Sequence, residues 1–330
     1  MKKWLFGAGV ILLFFIFLTS IYLFTQKREI LSPLGEKILE KPLDKYTFEH
    51  LKRRSYQPSE IKIEKYLKDS AWIFSFQSDG KRVSGVINLP KNVSTTSAFL
   101  KNNSVVIMIH GSASQEEYYP GFGTQPVATV LAQNGYVTIA PDLLGYATSD
   151  QPSSDAFENR FETYTTVLNL MATVQVNCKL KISNCKLMLW GHSNGGQIAL
   201  SVLEISGVSY PTALWAPVSK HFPYNILYYT DTYEDQGKWL RKVLANFEEN
   251  YDVDKYDTAL YLDWIKAPIL LQQGSADPWV PQSWSDELYA QFKKYKSLKV
   301  EYKIYPGADH NLQPKWNQAV ADLLSWYNKH

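Results

Sequence analysis

Gly191-His192-Ser193-Asn194-Gly195-Gly196 sets a single hydroxyl among glycines where the chain changes character. The apolar run Lys186-Leu187-Met188-Leu189-Trp190 before it reads as a strand, and Gln197–Leu203 after it reads as a helix. A sharp strand-to-helix turn with Gly-x-Ser-x-Gly spacing is a nucleophile elbow: the turn is strained, and a Cβ beside the serine would clash. The Ser193 hydroxyl is then lifted above the sheet, and the backbone N–H of Asn194 faces whatever the serine attacks.

A serine is a weak nucleophile without a base, and the base needs a carboxylate to hold it. With this kind of elbow the partners follow in the order serine, acid, histidine. Ile269–Gln273 reads as a buried strand that ends in Gly274-Ser275-Ala276-Asp277-Pro278, which sets Asp277 just past its C-terminal end. Val300–Tyr305 reads as the next strand and ends in Pro306-Gly307-Ala308-Asp309-His310. Catalytic groups of open parallel sheets collect at the carboxyl ends of the strands, so Ser193, Asp277 and His310 are expected on one rim. Asp309 competes for the role of acid, but it sits in the histidine's own loop and reads as a loop or cap residue. Of the six histidines, His192 lies inside the elbow and is expected to pack; His50, His221 and His330 have no strand-end context. His110 follows the apolar strand Ser104–Ile109. The turn His110-Gly111-Ser112 is expected to supply the Ser112 N–H as a second oxyanion donor beside that of Asn194. His110 itself is expected to be structural.

These segments are similar to the α/β-hydrolases, and more narrowly resemble the catalytic domain of the prolyl oligopeptidase (S9) group. The resemblance rests on the hairpin Phe74–Pro90, on Leu131–Tyr146 with its Ala140-Pro141-Asp142, on the elbow, on Asp277-Pro278-Trp279-Val280-Pro281, and on Tyr305–His310. It covers residues 60–330. It implies a mainly parallel twisted sheet with helices on both faces, and a serine peptidase acting on short peptides. About 35 residues separate the apolar N-terminal segment from the hydrolase, too few for two blades of the β-propeller that the oligopeptidases proper carry. That departure keeps a carboxylesterase or thioesterase in contention. A non-catalytic binding protein on the same scaffold is a third reading, against which all three triad members stand in order. A dehalogenase would carry Asp in place of Ser193.

Trp4–Thr25 contains no charged residue. As a helix it spans about 33 Å, enough for a bilayer core, and no Ala-x-Ala site follows it, so an uncleaved anchor over residues 1–25 is expected. Lys2 and Lys3 before it are nearly balanced by Lys27 and Arg28 after it; an extracytoplasmic hydrolase is preferred. Residues 26–60 read as a charged juxtamembrane linker with a short helix near Lys45–Arg54, and 61–330 as the catalytic domain. Within that domain, residues 218–264 read as a helical cap, rich in aromatics such as Tyr228, Tyr229, Tyr233 and Trp239, overhanging the serine.

The net charge is +2, with acidic and basic residues nearly balanced, which gives no electrostatic case for nucleic acid as a partner. Cys178 and Cys185 could close a small disulfide or stay reduced and buried, and two cysteines without clustered histidines are not a zinc site. Asn92-Val93-Ser94 and Asn102-Asn103-Ser104 fit the glycosylation pattern. The expected chemistry needs a small peptide or ester substrate and no metal or organic cofactor.

Overall fold

The computed structural model describes residues 41–91, 104–181 and 185–330. The anchor expected over residues 1–25, most of the expected linker, both glycosylation asparagines and the Cys178 side chain lie outside the described residues. Among the described residues no helix is long and apolar enough to cross a membrane.

Nine strands form one sheet in the order β1-β2-β3-β5-β4-β6-β7-β8-β9. Three antiparallel strands open it: β1 (Lys62–Tyr66), β2 (Ala71–Ser78) and β3 (Lys81–Asn88), and β3 joins β5 (Val137–Pro141) antiparallel. From there every neighbour is parallel, through β4 (Val105–Ile109), β6 (Leu187–His192), β7 (Thr212–Trp215), β8 (Ile269–Gly274) and β9 (Val300–Tyr305). β4 is an unbroken apolar run, and β5, β6, β7 and β8 are buried along their length because both faces are covered, as helical crossovers require, whereas the edge strand β9 carries Glu301 and Lys303. Their side chains alternate between two cores. Val105, Ile107, Leu189, Leu214 and Leu271 join one core, with Phe161 and Leu168 of α3 (Ala156–Lys181) and Leu200 and Leu203 of α4 (Asn194–Ser206). Val106, Met108, Met188, Ala213 and Leu270 join the other, with Leu131 of α2 (Gln125–Gln133) and Leu323 and Trp326 of α8 (Trp316–Lys329).

The boundary expected at residue 61 falls earlier. Leu43, Tyr46, Phe48 and Leu51 are buried in the first core, and Phe48 and Leu51 lie on α1 (Phe48–Arg53). The folded body therefore begins at Leu43. The surrounding charges disguised this stretch in the sequence: Lys52 and Arg53 are exposed, and the Lys52 ammonium sits over the Trp264 ring at 3.3 Å. Cys185 is disulfide-bonded, which selects the oxidised of the two cysteine readings for that residue.

The interval after β7 contains helices and no strand. It holds α5 (Tyr224–Leu227), α6 (Lys238–Asn250) and 3-10 turns at Thr230–Thr232, Val253–Tyr256, Thr258–Leu260 and Leu262–Trp264. Phe222 and Phe247 fasten it to Phe157 and Phe161 of α3, with Phe157 and Phe247 centroids 4.5 Å apart. α7 (Gln282–Phe292) crosses between β8 and β9.

Candidate active site

The strand order sets the carboxyl ends of β4, β6, β8 and β9 along one rim, and the chemistry-bearing residues stand there. Ser193 follows β6 directly and is the N-cap of α4, with φ 58° and ψ −122°. That left-handed φ is costly for a serine and survives only where the surroundings over-determine it. The Ser193 N–H donates to the Trp215 carbonyl at 2.9 Å, and the Ser193 carbonyl accepts from Gly196 and Val218 at 3.0 and 3.1 Å. The helix can begin this close to the sheet only because Gly195 has no side chain; a Cβ there would run into the Ile109 carbonyl of β4. A Cβ on Gly111 would lie 2.9 Å from that of Ser193, so the turn after β4 also passes close to this serine.

Asp277 lies three residues beyond β8, and its carboxylate is fully buried. One oxygen accepts from the Trp279 and Val280 amides at 2.8 and 2.9 Å. The other accepts from His310 Nδ1 at 2.8 Å and from Gln273 Nε2 at 3.2 Å. Burial pushes this carboxyl up, but the hydrogen bond and charge of His310 and the two amides outweigh it, leaving it below its ordinary range. Because the carboxylate only accepts, His310 carries its proton on Nδ1 and Nε2 is left as the acceptor. His310 and Ser193 line the same cavity. The Ser193–His310 hydrogen bond itself is not formed; such contacts are often long before substrate binds and tighten in the complex.

Asp309 keeps to its own loop, as its position suggested: one carboxylate oxygen accepts from the Asn311 and Gln313 amides. His192 is buried, its Nε2 lies 3.0 Å from the His310 carbonyl, and the two rings are 4.6 Å apart. Burial, then the nearby His310 charge, lowers its pKa to about 4, so it is neutral at physiological pH and Nε2 donates.

Ser112 and Asn194 both line the cavity, and neither backbone N–H has a hydrogen-bond partner among the described residues. Asn194 is the first residue of α4, where an N–H has no helical acceptor and the dipole favours negative charge. The Ser112 turn is held by a network that the sequence did not disclose. Asp142, at the end of β5, accepts from Ser84 Oγ at 2.6 Å and Tyr118 Oη at 2.8 Å. Tyr118 packs on Tyr146, with centroids 4.6 Å apart, and the Tyr146 hydroxyl donates to the Ala113 carbonyl at 2.8 Å. His110 is buried with its ring nitrogens near the Gly111 and Asp142 carbonyls, and burial lowers its pKa: it is structural.

The cavity beside Ser193 has a volume of about 820 Å³. Ile226, Tyr229, Tyr233, Trp239 and Leu240 of the interval after β7 line it, together with Phe157 and Arg160 of α3. Of the aromatics expected to overhang the serine, Tyr229, Tyr233 and Trp239 line the cavity, whereas the Tyr228 ring packs against that of Trp284, centroids 4.8 Å apart, and is not part of the lining. No aspartate or glutamate lines it.

A twisted, mostly parallel sheet with a serine elbow at its centre and a histidine loop at its rim is an α/β-hydrolase. Among solved structures it resembles the puromycin-hydrolyzing peptidase of Mycobacterium tuberculosis (TM-score 0.58, 17% identity, covering 82% of this chain and 39% of that one). It also resembles the acetyl xylan esterase of Paenibacillus sp. R4 (TM-score 0.58, 15% identity, 88% and 96%). Residues 122–330 match the prolyl oligopeptidase family, and the chain belongs to it. The dipeptidyl peptidase family member 6 of Caenorhabditis elegans is 21% identical over 222 residues, 64% of this chain. The chain spans only 29% of that relative's length.

Proposed function

We propose that Ser193, His310 and Asp277 hydrolyse the amide or ester bond of a small substrate through an acyl-enzyme. The observation that carries this is the junction of a left-handed Ser193 with the His310–Asp277 pair at one cavity. Ser193 Oγ attacks the carbonyl carbon while His310 Nε2 takes its proton; Asp277 holds Nδ1–H and stabilises the imidazolium. The Asn194 and Ser112 amides receive the oxyanion. Collapse expels the leaving amine or alcohol, which takes the proton from His310. Water, deprotonated by the same nitrogen, then releases the acid and restores Ser193.

Family membership favours amide substrates, so a peptidase is the leading reading. The carboxylesterase or thioesterase reading draws on the lining: no carboxylate stands there to capture a peptide's amino terminus, while Ile226, Trp239 and Leu240 offer apolar surface to an acyl chain. Trp4–Thr25 supports attachment to a membrane, and resistance to extraction at alkaline pH tests it. A fluorophosphonate probe should label the wild type and leave Ser193→Ala unmodified. On a panel of aminoacyl-arylamides, short peptides and p-nitrophenyl esters, Ser193-dependent amide cleavage supports the peptidase; turnover of esters alone moves the assignment to carboxylesterase.

A further inference from the structure

One charged side chain of the cavity takes no part in the chemistry above. Arg160 projects from α3, on the face opposite Glu158 and Glu162. Those two carboxylates are engaged by Lys45 and Lys81. Arg160 makes no ion pair among the described residues. Its one hydrogen bond runs from Nη2 to Gln197 Oε1 at 3.3 Å, and its Nε is buried with no partner. Gln197 is fixed in turn, its Nε2 donating to Tyr164 Oη at 2.8 Å and Thr258 Oγ1 at 2.7 Å. It lies one turn along the helix that begins at Ser193, so the guanidinium is tied to the nucleophile's own helix. Two other lining residues carry buried polar atoms without partners: Oδ1 of Asn225, a residue only 3% exposed, and the Tyr229 hydroxyl. Folded proteins seldom leave such groups unsatisfied, and three of them around one cavity mark a place prepared for a polar ligand.

The sign of the charge says which ligand. With Arg160 lining the cavity and no aspartate or glutamate beside it, an ammonium group meets a permanent cation and no counter-charge. A planar guanidinium with unused donors matches a carboxylate, to which it can give two parallel hydrogen bonds.

We propose that Arg160 anchors a free carboxylate of the substrate, so that the enzyme acts on anionic peptides or acyl compounds. This rests on the reading of Ser193 as nucleophile of the same cavity. The carboxylate has two possible sources: the C-terminus of a short peptide, or an acidic group on the acyl portion. Two matched pairs separate them. N-acetyl-alanyl-alanine against its C-terminal amide tests the first, and the p-nitrophenyl ester of succinic acid against that of monomethyl succinate tests the second.

With full-length protein, the carboxylate member of one pair should be preferred in kcat/KM by on the order of ten- to a hundredfold, the usual worth of a charge-assisted hydrogen bond. Arg160→Met should collapse that ratio at least tenfold, and Arg160→Lys should restore part of it. General damage to the fold would lower both members and leave the ratio unchanged. Binding of N-acetyl-alanyl-alanine, monomethyl succinate and their neutral counterparts to Ser193→Ala, followed by calorimetry, decides the matter without turnover. If neither pair is hydrolysed and no probe labels Ser193, the nucleophile assignment fails while carboxylate binding still reports on Arg160. Equal affinity for charged and neutral ligands, or a ratio that Arg160→Met does not change, overturns the proposal.

Discussion

His192 should make the protein acid-sensitive in a defined window. Its ring is buried, and its pKa falls from an ordinary value of about 6.5 to about 4. Between those two values the unfolded chain binds a proton that the folded chain does not. Stability contributed by neutral His192 is therefore complete above about pH 6.5 and is lost as the pH falls towards 4. The full shift corresponds to about 3 kcal/mol, and about 2.5 kcal/mol of it is lost between pH 7 and pH 4.5. Glu204 acts in the opposite sense over part of the same range. Both its carboxylate oxygens are buried without partners, and burial pushes its pKa well above the ordinary carboxyl value. The folded chain keeps that proton after the unfolded chain has released it, so Glu204 costs stability as the pH rises above about 4.5. The wild type alone would therefore mix two opposing effects.

The difference between wild type and His192→Gln removes Glu204 from the comparison. Urea unfolding at pH 7 and pH 4.5 should show the wild type losing about 2.5 kcal/mol more than the variant over that interval. The glutamine retains a donor for the His310 carbonyl, so its stability at pH 7 should fall by no more than about 1–2 kcal/mol. If both proteins lose the same stability on acidification, His192 does not carry the proton uptake and its neutral state in the fold is refuted.

Asp277→Asn removes the acceptor that fixes His310 Nδ1–H, and should lower kcat by on the order of 10³–10⁴-fold while the thermal transition stays cooperative; burst kinetics with an activated ester would follow it. Tyr146→Phe deletes the tether to the Ala113 carbonyl beside the proposed oxyanion donor. It should reduce kcat about tenfold with little change in KM, because the displaced amide serves the transition state rather than the bound substrate. Trp239 is 61% exposed at the cavity edge, so Trp239→Ala should alter stability by less than about 0.5 kcal/mol. The same variant should raise KM more for long acyl esters than for acetyl esters, measured across a graded p-nitrophenyl series.

Most of the architecture was legible because the parallel strands announce themselves. Val105–Ile109, Ile269–Gly274 and Val300–Tyr305 are short runs bounded by turns, and their carboxyl ends are readable from sequence as one rim. What the sequence hid were side chains whose partners lie far along the chain. Gln273 reads as one more residue of a buried strand; yet period-two alternation turns Gln272 to Trp215 and Tyr305 and leaves Gln273 facing Asp277 and Ser285. Asp142 and Tyr146 stood inside a recognised segment, but nothing in their spacing shows that they brace a loop 33 residues away. His221 was set aside for want of strand-end context, and it pairs with buried Asp257 at 2.6 Å in the cap. The short helix near Lys45–Arg54 was legible and stands at Phe48–Arg53, but its charges hid that Phe48 and Leu51 are buried in the core, since so short a helix carries too few apolar positions to establish a period.

The electrostatics of the rim separate two tasks that a single cavity must perform. In the proposed mechanism, forming the tetrahedral intermediate places a positive charge on His310 and a negative one on the attacked carbonyl oxygen. Buried Asp277, filled with four donors, stabilises the first charge, and His192, held neutral, adds no second cation against it. The second charge is left to backbone N–H dipoles, which are fixed by the elbow and by the Tyr146 tether and need no proton. The permanent charge of Arg160 is set apart on α3, coupled to the nucleophile's helix through Gln197 rather than through His310. An anion bound there would be held equally in the ground state and the transition state, so Arg160 should act on KM while the Asp277–His310 pair acts on kcat. A double-mutant cycle between Arg160→Met and Asp277→Asn should therefore show additive losses in kcat/KM on a carboxylate substrate, whereas coupling well above about 0.5 kcal/mol would mean that the anchor and the proton relay are one device.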